Sequence, residues 1–175
     1  MTSNDNLLVT KRNGRGKVPL DIEKIHTMVA SATENITGVS ASYVEMNSGI
    51  QFFDGISTDD IQQILIKSAN DLITLEHPNY QFVAARLLLF SLRKKLFRKL
   101  WEHPSLATHI KDCIKLGIYD ESILKNYTSA EIDRLNGFID HERDYQFTYA
   151  GLRQVMDKYL VQDRSSGEIH EPPQF

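Results

Sequence analysis

Leu7-Leu-Val-Thr-Lys-Arg-Asn-Gly-Arg-Gly-Lys-Val-Pro-Leu-Asp-Ile-Glu-Lys-Ile25 carries a small β unit and the start of a helix. Leu7 to Lys11 is β-prone, Asn13-Gly14 is a strong turn signal, and Lys17-Val-Pro-Leu20 returns as a second short strand. Pro19 suits an edge strand, where a missing N–H costs little. Asp21 follows as an N-cap, because its carboxylate can accept from the free N–H groups of a first helical turn. Behind it Ile22, Ile25, Met28, Val29 and Ala32 recur at helical spacing.

Working outward, a second helix is expected from Ser40 or Ser42, carrying Tyr43, Val44, Met46 and Ile50. Phe52-Phe-Asp-Gly-Ile56 has a turn signal and is a candidate third strand. Thr58 reads as the cap of a third helix, with Asp59 and Asp60 opposing the positive end of its dipole. Ile61, Leu65, Ala69, Leu72 and Ile73 form its stripe, and His77-Pro78 breaks it. A fourth helix, from about Asn79 to Leu100, is apolar on most faces from Phe82 to Leu92 and reads as the central helix of a bundle. The pattern is α+β and mostly helical.

His103-Pro104 marks a boundary. Beyond it, helices are expected over Leu106 to Leu116 (ended by Gly117), Ser129 to Ile139 (Ser129 as cap) and Phe147 to Tyr159. A hairpin follows around Ser166-Gly167.

Twenty Lys+Arg against 23 Asp+Glu give a formal charge of −3 over 175 residues. A DNA-coating protein draws its affinity from excess cations, so nucleic acid is not an expected partner. The single Cys113 rules out an intramolecular disulfide, a cysteine-based zinc site and thiol-pair redox chemistry within these residues. The greasiest run, Leu87-Leu-Leu-Phe90, is bracketed by Arg86 and Arg93 and falls far short of the ~20 apolar residues of a membrane helix. Met1-Thr-Ser-Asn-Asp-Asn-Leu-Leu8 lacks the basic-then-apolar build of a secretory signal. A cytoplasmic protein is expected.

Enzyme signatures are missing: there is no G-x-G-x-x-G, H-E-x-x-H or G-x-S-x-G, and Gly14-Arg-Gly-Lys17 lacks the phosphate-loop spacing. Asp140-His-Glu-Arg-Asp144 reads as a salt-bridged, solvated helix entry before it reads as a metal or acid/base site. Cys113 reads as a small buried hydrophobe. Histidines 26, 77, 103, 109 and 170 show no ligand spacing. Lys11, Arg12, Arg15, Lys17 and Lys24 offer the several cations that a polyphosphate takes, or else simply solvate a hairpin. Arg93, Lys94 and Lys95 by themselves read as cations favoured at a helix C-terminus.

Val9-Thr-Lys-Arg-Asn-Gly14 followed by Val18-Pro-Leu-Asp-Ile-Glu-Lys-Ile25 resembles the opening of an ATP-cone, a nucleotide-binding regulatory domain. The likeness continues through Asp54-Gly-Ile-Ser-Thr-Asp-Asp-Ile61, Tyr80-Gln-Phe-Val-Ala-Ala-Arg-Leu87 and Leu92-Arg-Lys-Lys95. Past the cone, Gly117-Ile-Tyr-Asp120, His141-Glu-Arg-Asp144, Phe147-Thr-Tyr149, Lys158-Tyr-Leu-Val161, Gly167-Glu-Ile169 and Pro173-Gln-Phe175 are similar to the large (α) subunit of class I ribonucleotide reductase.

The resemblance implies a cone over residues 1–102, built as a small sheet capping a four-helix bundle. Residues 103–175 would be a helical segment and hairpin leading into an α/β barrel that holds the catalytic cysteines, a platform expected to expose apolar surface near the hairpin and at the Pro172-Pro173 tail. On that reading these residues form an N-terminal fragment, a domain or a split-gene product, inactive alone and without a redox cofactor. The effector would be ATP or dATP with Mg, and the partners the rest of the α subunit and the small (β) subunit. In the family, ATP keeps the enzyme active, whereas dATP switches it off by changing how α and β assemble.

The same resemblance puts Val9, Lys11 and Arg12 near the nucleotide on the first strand and turn, with Lys24 and Ile25 on the first helix. Thr58 and Ile61 on the third helix, and Phe90 and Lys94 on the fourth, complete the set. Lys11, Arg12, Lys24 and Lys94 would hold phosphates while Ile25, Ile61 and Phe90 pack the adenine; no residue has a catalytic or metal role. Gln62 stands where some relatives carry His, and Gly14-Arg-Gly-Lys17 where relatives often carry a polar or acidic residue. Both bear on effector discrimination. The rival reading is a degenerate cone acting only as a subunit-interaction module. A cone-containing repressor would need four cysteines ahead of the cone, and a self-contained enzyme would need a catalytic constellation.

Overall fold

The computed structural model describes residues 7–11 and 16–175. They fall into two compact units. One holds the described residues up to Leu88 with Phe147–Ala150, and the other Leu89–Gln146 with Gly151–Phe175. Among the described residues no helix is long and apolar enough to cross a membrane.

In the first unit β1 (Leu8–Thr10) pairs antiparallel with β2 (Lys17–Pro19), matching Leu8 to Pro19, Val9 to Val18 and Thr10 to Lys17. The Asn13-Gly14 turn lies outside the described residues; beside it the Lys11 N–H donates to the Gly16 carbonyl at 3.4 Å. The candidate third strand runs along β1 but pairs with it through a single bridge. Leu8 accepts from the Gly55 N–H (2.8 Å), Thr10 donates to Ile56 (2.9 Å), and a parallel bridge joins Thr10 to Ser57.

Helix α1 (Ile22–Thr33) starts at Asp21 as expected: its carboxylate accepts from the Lys24 N–H at 3.1 Å, and Met28, Val29 and Ala32 form the buried face. Its last carbonyls are met by Arg86, whose Nη1 donates to Glu34 at 2.6 Å, the cationic capping that helix C-termini favour. Helix α2 (Ala41–Gly49) begins after Ser40, whose N–H donates to the Tyr80 hydroxyl (3.0 Å), and packs on α1 and α3.

Helix α3 (Thr58–Asp71) corrects the assigned cap. Ser57 has the extended backbone an N-cap requires, and its hydroxyl accepts from the Asp60 N–H at 3.0 Å, whereas Thr58 is already helical. Helix α4 (Tyr80–Phe97) is buried along most of its length but stops short of Leu100, because Arg98 turns left-handed with φ 62°.

In the second unit Ser105 caps α5 (Leu106–Lys115), which packs on α7 (Ser129–Asn136). Thr128, not Ser129, caps α7, and it forms a reciprocal capping box with Glu131. The short α6 (Ser122–Asn126) was not foreseen from periodicity. After a 3₁₀ turn (His141–Gln146) come α8 (Tyr149–Lys158) and a hairpin of β3 (Gln162–Asp163) with β4 (Glu168–Ile169). Gly167 takes φ 72° in that hairpin's turn.

The tail departs from expectation. Pro172 is fully buried, and the Phe175 ring sits 4.7 Å from that of His109 and 6.4 Å from that of Phe97. Glu171 anchors it by accepting from the Tyr119 hydroxyl and from the Val161 N–H (2.9 Å). Beside the hairpin Tyr159 and Val161 are exposed, as expected, and Leu116 and Phe138 are exposed elsewhere in this unit.

Candidate functional site

Three connections, one of them a backbone bridge and two through side chains, hold the turn that leads into α3 against β1. Besides the Thr10–Ser57 bridge, the Leu8 N–H donates to Asp54 Oδ1 (2.9 Å) and the Thr10 hydroxyl to the Gly55 carbonyl (2.9 Å). This brings Val9 of β1, and Lys11 just past its end, to the start of α3, where Thr58 is the first residue and Ile61 follows one turn in. Val9 and Ile61 are buried, Thr58 is half-buried and Lys11 is exposed. Arg12 lies outside the described residues.

Gly55 has φ 84°, and a Cβ there would meet Lys17 Nζ at 3.5 Å. The turn that feeds α3 therefore has a cation over it, and glycine fits its left-handed backbone without strain.

Lys24 is 84% exposed and its Nζ sits 2.7 Å from Asp21 Oδ2. Hydrogen bonds from Lys24 hold the Asp21 carboxyl below its usual range. An exposed pair of this kind is weak, so Lys24 can exchange its carboxylate for a phosphate at little cost. Ile25 lines a cavity of about 100 Å³ with Leu20, Ile22, Phe52 and the His26–Glu45 pair, whose nearest atoms are 2.9 Å apart. Small-molecule pockets usually run from about 300 Å³ upward, so this space by itself takes no whole nucleotide.

Phe90 and Lys94 belong to the second unit. Phe90 is 1% exposed and meets two rings edge-on, Trp101 at 5.0 Å and Tyr145 at 6.1 Å. Lys94, one turn along, is half-buried.

Between them lies a group that sequence reading missed. Arg93 is paired with Asp144 at 3.2 Å, and their side chains are 2% and 0% exposed. Arg93 also donates to the His141 carbonyl (2.9 Å) and the Tyr145 hydroxyl (3.2 Å), while Asp144 accepts from Gln174 Nε2 (2.9 Å). The solvated helix entry expected over 140–144 is thus corrected. Glu142, Arg143 and Asp140 are exposed, but Asp144 is a buried counter-ion. Helical spacing carried the available signal: Arg93 lies three and four residues past Phe90 and Leu89, both buried, so its stem had to enter the same face.

His103 stacks on His141 with ring centroids 3.8 Å apart and planes 15° from parallel. Burial, with Arg93 close by, pushes the His103 imidazole down to about 4, and burial lowers His141 as well. Cys113 is buried with its sulfur 3.4 Å from His109 Nε2, and burial raises its thiol pKa, which makes it a poor nucleophile. No cluster of three or more metal-ligating side chains occurs among the described residues.

The family model of the ATP cone domain matches residues 7–95. Relatives extend that match along almost the whole chain. Ribonucleoside-diphosphate reductase 1 subunit alpha of Salmonella typhimurium is 47% identical over 172 residues, 98% of this chain. The Escherichia coli protein of that name is 46% identical over 172 residues, also 98% of this chain. The subunit alpha of Enterobacteria phage T4 is 43% identical over 157 residues, 89% of this chain. The chain spans 22% of the length of the two bacterial relatives and 20% of the phage one.

Proposed function

The chain belongs to the ATP-cone family, and from that premise we propose that it is the ATP/dATP-binding regulatory region of a ribonucleoside-diphosphate reductase large (α) subunit. The observation that carries the reading is the match of the cone model to residues 7–95 together with 47% identity over 98% of the chain. Residues 1–102 are the cone, a small sheet over a four-helix bundle, and 103–175 lead toward a catalytic barrel. These residues act in the cytoplasm by binding and are inactive as an oxidoreductase on their own.

Lys11, Arg12, Lys24 and Lys94 take the phosphates, Ile25, Ile61 and Phe90 pack the adenine, and Val9 and Thr58 complete the pocket. Arginine and lysine suit this work because charge-assisted hydrogen bonds to phosphate are about twice as strong as neutral ones. Mg would come in on the nucleotide's own phosphates, its usual mode at such sites. ATP sustains activity and dATP suppresses it through assembly with the small (β) subunit.

One observation favours the second reading, a degenerate cone that only contacts other subunits. The cavity beside Ile25 is about 100 Å³, too small for a nucleotide without rearrangement. Calorimetric titration of the chain with ATP and dATP decides between them. Saturable heat with one site supports the regulatory reading, and no heat at millimolar nucleotide overturns it in favour of the interaction module.

A further inference from the structure

We propose that Arg93 and Asp144 are positioning residues for the nucleotide, their buried ion pair holding the Phe90–Lys94 turn of α4 in the geometry that receives base and phosphate. The inference rests on the reading of Phe90 and Lys94 given above, and adds the device that presents them.

The first support is the way the guanidinium is used. One Arg93 Nη donates to both Asp144 Oδ2 (3.2 Å) and the His141 carbonyl (2.9 Å), and the other donates to the Tyr145 hydroxyl (3.2 Å). All three acceptors sit in one 3₁₀ turn, His141–Gln146, so the side chain is clamped to a single short segment. Arginine's planar fork suits such a clamp, since fewer degrees of freedom are lost for each bond formed.

Tyr145 is the second. Its ring stands at 90° to Phe90 with centroids 6.1 Å apart, and the Arg93 guanidinium carbon lies 5.3 Å from the same ring. The aromatic assigned to the base and the buried cation three residues later therefore rest on one side chain. Lys94 follows Arg93 directly and lies one turn beyond Phe90, so whatever fixes Arg93 fixes the azimuth of both.

The energetics of burial form the third. A buried ion pair is often matched or surpassed in stability by apolar residues of similar size. Stability alone therefore does not account for a charge at 2% exposure with its Nε buried and without a hydrogen-bond partner. Fixed geometry does. Gln174 completes the arrangement by donating to the remaining Asp144 oxygen (2.9 Å), which holds the carboxylate in plane for the fork.

The test is a MgATP titration of the 175-residue chain and its variants by calorimetry, at a temperature well below each melting point. Trp101, the single tryptophan, lies edge-on to Phe90 and serves as a fluorescent second readout. Asp144→Asn should raise Kd about tenfold and Tyr145→Phe about threefold, within the range of coupled contacts. Leu152→Ala, a buried α8 residue outside the network, should lower the melting point and leave Kd unchanged.

Wild-type affinity in folded Asp144→Asn and Tyr145→Phe overturns the inference, and so does a Leu152→Ala that loses affinity equally. If Asp144→Asn does not fold, Arg93→Lys decides in its place, because it keeps a buried cation and loses the planar fork, and an unchanged Kd overturns the inference. A wild-type chain that takes up no ATP at all sinks the nucleotide reading itself, an outcome read without any variant.

Discussion

Phe90 meets Trp101 edge-on, with ring centroids 5.0 Å apart and planes at 73°. The geometry is that of an attractive aromatic pair, since the positive edge of one ring faces the negative face of the other. It also couples the single tryptophan of the chain to the turn of α4 on which the base contact is proposed.

Phe90→Ala should act twice. Removing a fully buried ring leaves a cavity worth about 3–5 kcal/mol, so the free protein melts lower. The same change should weaken ATP binding and shift Trp101 emission in the absence of nucleotide. Calorimetric melting and a fluorescence titration check both, and a variant with wild-type affinity would remove Phe90 from the base site.

Lys94→Ala separates binding from folding. A nucleotide at a hundredfold excess over Kd stabilises the folded chain by about 2.7 kcal/mol. For a chain of this size that raises the melting point by about 5–10 °C. Lys94→Ala should remove most of the rise and leave the unliganded melting point within about 1 °C of wild type. Thermal melts with and without ATP measure the difference.

Acid should weaken the second unit through the stacked histidines. The His103 imidazole is held down at about 4 against an ordinary 6.5, so between those values the unfolded chain binds the proton first. Its contribution is fully present above pH 6.5 and is lost progressively as pH falls toward 4. His141, also lowered, adds in the same direction, while Asp144, raised by burial, opposes it. Urea midpoints at pH 7 and pH 5 should therefore lie closer together in His103→Asn than in wild type.

Cys113 should report unfolding. Its thiol is buried and its pKa is raised, so a colourless-to-yellow disulfide reagent should react at the rate of opening. One equivalent should appear immediately in denaturant. Rapid reaction of the folded chain would contradict the burial.

The local chemistry of the first unit was legible because its bonds are short in sequence. The pairing of Leu8 with Pro19, the Asp21 cap and the buried stripe Met28, Val29 and Ala32 follow from neighbouring residues alone. The caps of α3 and α7 were legible only to within one residue. Ser57-Thr58 and Thr128-Ser129 each place two competent hydroxyls side by side, and backbone dihedral angles choose between them. Family resemblance named the set from Val9 to Lys94, but that naming came from motif matching and not from the physics of any single residue.

Arg93 and Asp144 mark what only the tertiary structure decided. They stand 51 positions apart, and each by itself reads as an ordinary surface charge beside other charges. A charge enters a core only when a counter-charge and hydrogen-bond partners enter with it, because desolvation of either alone is prohibitive. That condition is met by the arrival of the 141–146 turn and Gln174 at α4, and no local pattern encodes it. The same reason explains the tail: Pro172 and Phe175 are apolar in any reading, but which surface covers them is settled by Glu171, Tyr119 and Phe97 meeting in space.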